Sequence, residues 1–574
     1  MDGDYSQFED GWLDRPEPTP LYTEASSGDH TELTRLLKIS NDMVNEIDSS
    51  QCTPIQKALQ NHDIASIELL LRHGADPNLR FPRFGACFEN ESTSVSEAAD
   101  FGFVDVLSLL IENGGLVPSV VLYCATESGQ FECVRKIFAW LVNNSRTEFD
   151  DGVARSTAVT WALQSAAAGW RVDIVEFILA SVEADKEAVD CAFLEAMIPD
   201  YDHDDYPKRN CVRKGPYEEA QEKRIEVVRL LLEAGADVDA QGRLSLWGSS
   251  TMKPLHEIAR QGNRAREIFD MLLEKDIDVD SLNTEHGDGQ TPLFQAVLAD
   301  DVYFVERLLE KGANVTHVDR SGNTLLHIST FNETPACSAI MSLLLSHGIS
   351  LGVTNSGGKT ALHEASSKGN AEAARLLLSS DPDLINCRTP EGWTALHFAD
   401  DSSSGGIICQ RGIDVAALIL AYGADINALT VEGWTVLQRA VTGNRYDTTE
   451  FISFLLKNGA DITTIDNLGG QVRDSLLHLA LDRQYVGRGS MATLRLLLDN
   501  GANMEFKDGQ GRTALLRAVS QWKGIYAYRA FQGEYVMELL NRGADINVKD
   551  NAGRGLEDLV KNRGYTIKWR LGKW

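Results

Sequence analysis

The sequence predicts an all-α solenoid, in which helix-turn-helix units stack side by side and are joined by short β-hairpin fingers. Two short phrases recur in fixed order along the 574 residues. The first reads Thr-Pro-Leu or a close variant, and the second reads Leu-Leu followed by Gly-Ala-Asp or Gly-Ala-Asn. Clear copies return roughly every 33 to 42 residues. A period of this size predicts one repeat array, so the chain length measures the number of units rather than of globular domains.

The first phrase is typical of the start of a helix. A Thr hydroxyl accepts a free backbone N–H at the helix N-terminus, and Pro at the next position has no N–H to leave unpaired. The following Leu begins an apolar face with helical spacing. The clearest copies begin at Thr53, Thr291, Thr324, Thr360, Thr394, Thr435 and Thr513.

The second phrase is typical of the end of a second helix. Its leucines complete an apolar face, and the Gly that follows adopts the left-handed conformation after the helix C-terminus. Asp or Asn then starts the hairpin turn through side-chain to backbone hydrogen bonds. A single unit of this kind cannot bury its apolar face, so neighbouring units must stack. Copies contain Gly74, Gly235, Gly312, Gly423, Gly459, Gly501 and Gly543.

The order and period of the two phrases resemble the ankyrin repeat family, with about fourteen units covering nearly the whole chain. Residues 92–197 keep only the helical spacing of apolar residues and lack clear copies of the two phrases. The resemblance implies an ankyrin-type α-solenoid that binds partners on its concave surface, through the hairpins and the adjacent inner helices.

Five segments are predicted. Residues 1–18 form an acidic tail, either frayed or folding onto a partner. Residues 19–198 form partly degenerate repeats, and residues 223–555 form the main repeat array. Between these arrays, residues 199–222 form an insertion that is either a solvated loop or a calcium-binding loop with Asp200, Asp202 and Asp204 as ligands. Residues 556–574 form a C-terminal cap with a basic aromatic end, which either pairs with the acidic body or docks an acidic partner or nucleic acid.

Composition excludes several classes of protein. The net charge of −30 makes nucleic-acid binding unlikely along the main surface, because such a chain repels phosphate. No apolar run is long enough for a membrane span, and the acidic N-terminus does not look like a signal peptide. Nine scattered cysteines without a Cys-x-x-Cys pair indicate reduced thiols. We therefore expect a cytoplasmic or nuclear protein, with its oligomeric state left open.

No catalytic residue, cofactor site or metal site is predicted. Five of the twelve histidines occupy the same repeat position, where a histidine is expected to bond backbone between units. They are His256, His327, His363, His397 and His478. The sequence contains no nucleophile motif, zinc-protease motif or phosphate-binding loop.

The residue just before each first phrase forms a row on the hairpins. Along the main array the row reads Gln290, Asn323, Lys359, Trp393, Trp434, Asp474, Arg512 and Arg554. The chemistry of this position varies between units, which argues against a purely structural role. Aromatic and arginine side chains dominate interface energetics, so Lys359, Trp393, Trp434 and Arg512 are predicted to contact a partner.

A second candidate contact lies in the link after the first helix of a late repeat. Residues 521–531 contain four aromatic residues and two cations. Within this link Trp522, Tyr526, Tyr528 and Arg529 are predicted partner contacts. Alternatively, these rings fold back over neighbouring helices.

The sequence therefore predicts a protein-interaction scaffold or adaptor, whose partner is a protein. The alternative is an enzyme with a non-standard active site built in the groove and its inter-helix insertions, although no catalytic motif supports it. A nuclear regulator that uses the acidic tail is a third hypothesis.

Overall fold

The structure is a computed structural model. It describes residues 20–47, 52–82, 91–144, 146–181, 184–198, 217–240, 253–283, 289–399, 408–443, 448–465, 474–482, 490–521 and 529–561. The chain divides into two compact units, Met1–Asp278 and Val279–Trp574. The described residues contain fourteen helix pairs and one further helix, as the repeat count predicts.

The first unit holds seven helix pairs and one small antiparallel hairpin. Strands β1 (Phe81–Pro82) and β2 (Glu91–Ser92) pair with Phe81 opposite Ser92. The helices are α1 (Pro20–Ser27), α2 (His30–Ile39), α3 (Pro54–Gln60), α4 (Ile64–Arg72), α5 (Ser94–Phe101), α6 (Val104–Glu112), α7 (Ser119–Glu127), α8 (Phe131–Asn143), α9 (Arg155–Ala168), α10 (Val172–Ser181), α11 (Lys186–Ala196), α12 (Tyr217–Glu233), α13 (Pro254–Gln261) and α14 (Arg266–Leu273).

The second unit holds the other seven pairs and the last helix. They are α15 (Pro292–Leu298), α16 (Val302–Glu310), α17 (Leu325–Ser329), α18 (Pro335–Ser346), α19 (Ala361–Lys368), α20 (Ala371–Ser380), α21 (Ala395–Phe398), α22 (Ile408–Ala421), α23 (Val436–Thr442), α24 (Thr449–Lys457), α25 (Leu476–Ala480), α26 (Ser490–Asp499), α27 (Ala514–Gln521), α28 (Arg529–Asn541) and α29 (Leu556–Lys561).

Within the second unit, helices of the same kind form two stacked layers. Each first helix contacts the first helix of the next pair, from α15 to α29, and each second helix contacts the next second helix, from α16 to α28. The core lies between the layers, where leucines such as Leu362, Leu377 and Leu396 are fully buried. The predicted all-α solenoid fold is confirmed at this level.

Helix starts follow the predicted chemistry in the second unit. Thr360 caps α19, and its backbone N–H donates to Nδ1 of His363 at 3.1 Å. Gly369 ends α19 with a φ of +73°, and Asn370 then caps α20 by accepting the N–H of Ala373 at 2.9 Å. In the degenerate stretch of the first unit, α7 and α9 follow Pro118 and Ala154 without any side-chain cap.

The hairpins close on themselves and bond to their neighbours. The N–H of Thr389 donates to the carbonyl of Trp393 at 2.9 Å, and five further hairpins of the second unit close in the same way. Between neighbouring repeats, the N–H of Val431 donates to the carbonyl of Glu391 at 2.8 Å. Pro390 occupies the corresponding donor position of its hairpin and has no N–H, so this inter-repeat bond is missing between the hairpins of Gly358 and Pro390.

Several predicted segments lie partly or wholly outside the described residues. These include the acidic tail 1–18 and the end of the chain beyond residue 561. Helix α12 begins at Tyr217, so the last six residues of the predicted 199–222 insertion are helical. The predicted domain boundaries stay predictions.

Candidate partner-binding surface

The candidate partner-binding site is a part of the second unit that we call the row surface. It comprises the row residues from Gln290 to Arg554, together with the solvent-facing side chains of the first helices that follow them. A row residue is the last residue of its hairpin, and its neighbour is the N-cap of a first helix. This local geometry places the row side chains of successive repeats beside the first helices.

Histidines of the preceding repeat fix the backbone of the row. Nδ1 of His363 accepts the N–H of Thr360, so Nε2 carries the proton and donates to the carbonyl of Trp393 at 3.2 Å. In the same way, Nε2 of His327, His397 and His478 bonds to a row carbonyl of the next repeat. These carbonyls belong to Lys359, Trp434 and Arg512. His256 is fully buried at the corresponding position of the first unit. The predicted structural role of these histidines is therefore confirmed for His327, His363, His397 and His478.

These histidines are neutral near pH 7. Burial lowers the pKa of His363 and of His397 to about 4, and it also lowers the pKa of His327 and His478. Each histidine uses both ring nitrogens for hydrogen bonds within the fold. Among the residues that the structure describes, no group of three or more His, Cys, Asp or Glu side chains is arranged to hold a metal ion.

Lys359 links two repeats through its ammonium group. Nζ lies 3.2 Å from Oε1 of Glu364 in α19 and 4.7 Å from the ring centroid of Phe398 in α21. The lysine side chain is 27% exposed, whereas that of Glu364 is 14% exposed. The pair therefore turns its positive end toward solvent.

Trp393 is half-buried against the following repeat. The guanidinium carbon of Arg439 in α23 lies 4.1 Å from the Trp393 ring centroid, which is a stacked cation–π contact. Trp393 also contacts Phe398, with 5.3 Å between the ring centroids. One face of the indole is thus covered by Arg439 of the chain itself.

Trp434 occupies the same position one repeat later. Its ring is half-buried, and its backbone N–H donates to Oγ1 of Thr430 at 3.1 Å. The indole Nε1 is buried, and it has no hydrogen-bond acceptor among the described residues. Leu429 and Val431, on the same hairpin, are 52% and 76% exposed, so this hairpin presents apolar side chains to solvent.

Arg512 belongs to an ion cluster two repeats further on. Its guanidinium lies 2.7 Å from Oδ2 of Asp508, and the same oxygen lies 3.1 Å from Arg517 in α27. Arg517 also reaches Oδ2 of Asp474 at 3.3 Å and of Asp482 at 2.9 Å in the preceding repeat.

The carboxylates of this cluster have opposite pKa shifts. Burial raises the pKa of Asp474, and the nearby Arg517 only partly offsets the effect. The pKa of Asp508 is lowered because hydrogen bonds from Arg512 and the backbone outweigh its burial. The cluster is a joint between repeats, with every carboxylate held by an arginine.

The structure brings only some of the predicted residues together. Lys359 and Trp393 share the contact with Phe398, while Trp434 and Arg512 lie in later repeats. Trp522, Tyr526 and Tyr528 lie outside the described residues; Arg529 begins α28, with its side chain also outside them.

Sequence reasoning missed the residues that contact the row. They are Phe398, Arg439 and Arg517, and each lies four residues after the Thr of its phrase. This spacing was the available signal, because position Thr+4 directly follows a buried position of the first helix, held by His397, Gln438 and Leu516 in these repeats.

Comparison with known proteins finds ankyrin repeats in this chain and in proteins similar to it. A family profile described as ankyrin repeats in three copies matches residues 255–355 and 333–407, and a profile of the single ankyrin repeat matches residues 391–431. The chain is 31% identical over 203 residues to the nuclear factor NF-kappa-B p105 subunit of Gallus gallus, covering 34% of this chain and 19% of that protein.

Other relatives match similar stretches. The B-cell lymphoma 3 protein homolog of Mus musculus is 28% identical over 209 residues, covering 36% of this chain and 44% of that protein. The E3 ubiquitin-protein ligase KEG of Arabidopsis thaliana is 24% identical over 368 residues, covering 57% of this chain and 21% of that protein. The chain thus spans less than half the length of these relatives. The crystal structure of the human ASB11 ankyrin repeat domain is 23% identical with a TM-score of 0.34, covering 44% of this chain and 99% of that one.

Across the described residues, no helix is both long and apolar enough to cross a membrane.

Proposed function

Because the chain is an ankyrin repeat protein, we propose that it acts as an interaction scaffold or adaptor and binds a protein partner on the row surface of its second unit. The repeats and the relatives that share them support a role in protein interaction. The adaptor role, the site and the partner are the proposal.

One observation carries the proposal. Positions that build the repeat are buried and change little, as Thr360 and Thr394 show, or His363 and His397 with Gln438 in the next repeat. The row position lies immediately beside them, yet it changes from Lys to Trp to Asp to Arg between repeats. A position that varies in chemistry and stays half-exposed beside more uniform buried positions is suited to recognition rather than to folding.

Trp434 is the residue of choice for a test, because Trp393 also packs against Arg439. Full-length protein would be crosslinked to its partners in cell extract, and the crosslinked sites mapped by mass spectrometry. We expect a partner crosslinked to the second unit to be lost or much reduced with Trp434→Ala, while the melting curve shifts little.

A matched control is available in the first unit. Trp161 is an exposed tryptophan, at 39%, on the first helix α9. Trp161→Ala should leave the same crosslinks in place. Equal loss with both variants, or no loss with Trp434→Ala, would contradict binding on the row surface.

The proposal places the protein inside the cell, in the cytoplasm or nucleus. Among the described cysteines, Cys133, Cys191, Cys337 and Cys387 are free thiols, which supports a reducing compartment. Burial raises the pKa of the Cys133 thiol to about 12 and that of Cys337 to about 11, so these thiols serve packing rather than reactivity.

The enzyme alternative has little support. The group of titratable side chains around Arg517 holds its carboxylates in ion pairs with arginines. That arrangement leaves no carboxylate poised as a general base beside a nucleophile.

A further inference from the structure

The row surface differs in charge from the rest of the second unit. Residues 279–574 contain 34 carboxylates and 28 lysines and arginines, which gives that half of the chain a net charge of −6. In the seven helix pairs from α15 to α28, the first helices contain one carboxylate, Glu364, and three cations. These cations are Lys368, Arg439 and Arg517.

The row residues of the same seven repeats continue this bias. They include the cations Lys359 and Arg512 and one carboxylate, Asp474. Row and first helices together therefore carry five cations and two carboxylates, on a chain whose net charge is −30. Positive charge is concentrated where the variable side chains lie.

The first unit shows the opposite bias at its first helices. The seven helices from α1 to α13 contain eight carboxylates and four cations. The carboxylates are Glu24, Glu97, Asp100, Glu127, Glu187, Asp190, Glu195 and Glu257, and the cations are Lys57, Arg155, Lys186 and Arg260. The positive bias is therefore a property of the second unit and not of the repeat pattern.

Ion pairing does not hide the positive charge of the row. In the pair of Arg512 with Asp508, the arginine side chain is 14% exposed and the aspartate 2%. Lys359 is likewise more exposed than Glu364. Arg517 is the exception, because its side chain is 12% exposed and the two aspartates of the preceding repeat that pair with it are 18% and 21% exposed.

We propose that the row surface of the second unit takes an acidic polypeptide segment that also carries an aromatic or large aliphatic side chain. Its carboxylates meet Lys359, Arg439 and Arg512, and its apolar side chain packs against Trp393 or Trp434. This inference rests on the proposed function and names the chemistry of the partner.

The acidic body of the chain does not cancel this attraction at short range. At physiological ionic strength, charges separated by more than about 8 Å are largely screened. A bound segment therefore responds mainly to the side chains it touches, which on this surface are cations and rings. The remaining carboxylates lower the rate of encounter more than they weaken the bound state.

Selection from a library of random displayed peptides against the full-length protein tests the proposal. We expect the selected peptides to be enriched in Asp and Glu together with Trp, Phe or Leu. Their affinity should fall as salt rises from about 50 to about 300 mM, because the contacts are ionic. Enrichment of basic or uncharged peptides, or the absence of acidic ones, would overturn the inference.

Neutral substitutions locate the binding site. The double variant Lys359→Gln and Arg439→Gln should weaken the best acidic peptide about tenfold or more, with folding checked by its melting curve. The matched control is Lys57→Gln in α3, since Lys57 also lies four residues after its Thr and over the ring of Tyr22, at 5.9 Å. This control should change the affinity less than about twofold.

The same experiment distinguishes the proposed binding of a partner on the row surface from the proposed preference of that surface for acidic segments. Uncharged peptides that lose binding with Trp434→Ala would keep the row surface as the site and overturn its preference for acidic segments. If substitution of Lys359, Arg439 and Trp434 leaves the affinity of the selected peptides unchanged, the proposed function itself is contradicted. Binding of a single-stranded RNA oligonucleotide that depends on the same cations would replace the acidic polypeptide with a nucleic acid.

Discussion

Arg439 stacks its guanidinium on the indole of Trp393 in the preceding repeat, with 4.1 Å between the guanidinium carbon and the ring centroid. The same diagonal relation joins Phe398 to Lys359 and Arg517 to Asp474. In each pair, a residue four positions after the N-cap meets the row residue of the repeat before it. The row surface is therefore built of pairs that span the joints between repeats.

The stacking of Arg439 on Trp393 should be measurable as a coupling energy. We expect Trp393→Ala and Arg439→Ala to interact by about 1 kcal/mol in a double-mutant cycle of urea unfolding. Coupling near zero would show that the two side chains contribute independently. The pair Lys57 and Tyr22, at 5.9 Å, provides a weaker cation–π contact for comparison.

Acid should destabilise the second unit through its buried histidines. The pKa of His363 and of His397 is about 4 in the fold, below the ordinary value of 6.5. The stability that comes from keeping these histidines neutral is therefore fully present above pH 6.5. As the pH falls toward 4, the free energy of unfolding decreases by roughly 3 kcal/mol for each histidine. Urea unfolding followed across this pH range measures the loss.

A glutamine control separates titration from packing. Gln438 stands at the same repeat position and accepts the N–H of Thr435 at 2.8 Å. In the double variant His363→Gln and His397→Gln, the dependence of stability on pH between 6.5 and 4 should shrink, whatever the loss of stability at neutral pH. An unchanged dependence would assign the acid effect to other groups.

The two carboxylates around Arg517 should respond differently to amidation. Asp508→Asn removes the negative charge and replaces Oδ2, which accepts from Arg512 and Arg517, with an amide donor, and we expect it to lower the free energy of unfolding by about 2–4 kcal/mol. Asp474→Asn removes a charge that burial already disfavours, so its effect should stay within about 1 kcal/mol. Equal losses in thermal unfolding would contradict this assignment.

Arg224 should be essential to the first unit. It is fully buried in α12, and its guanidinium donates to the carbonyls of Ala196 at 3.0 Å and of Met197 at 2.5 Å. Arg224→Met should lower stability by about 2–4 kcal/mol, because the carbonyl of Ala196 loses its side-chain donor and that of Met197 keeps only the amide of Gln261. Arg229→Met, on the exposed side of the same helix, should cost less than about 0.5 kcal/mol in the same urea titration.

Gly358 should not accept a side chain. Its φ is +68°, and a Cβ there would overlap Cδ of Pro390 in the next hairpin. Gly358→Ala should lower the melting temperature of the second unit, and Pro390→Ala should restore part of the loss. No recovery in the double variant would assign the whole effect to the backbone conformation.

The repeat phrases made the second unit predictable in detail, because each phrase states where a helix starts and why. Helices α7 and α9 form without those phrases, after Pro118 and Ala154, since stacking against their neighbours replaces the missing caps. The position of Trp393 on a hairpin was likewise predictable. Its contact with Arg439 was not, because Arg439 belongs to the following repeat and only the stacking of the two repeats brings the side chains together.

The bond from each histidine to the next hairpin has an evolutionary consequence. A row residue accepts this hydrogen bond with its backbone carbonyl, as Trp393 does from His363. Every amino acid has a backbone carbonyl, so the bond does not depend on which side chain stands there. Its side chain is then free to diversify, subject to the diagonal neighbour it meets. Changes of specificity in this array are therefore expected to arise as paired substitutions across a joint, such as Trp393 with Arg439, rather than one residue at a time.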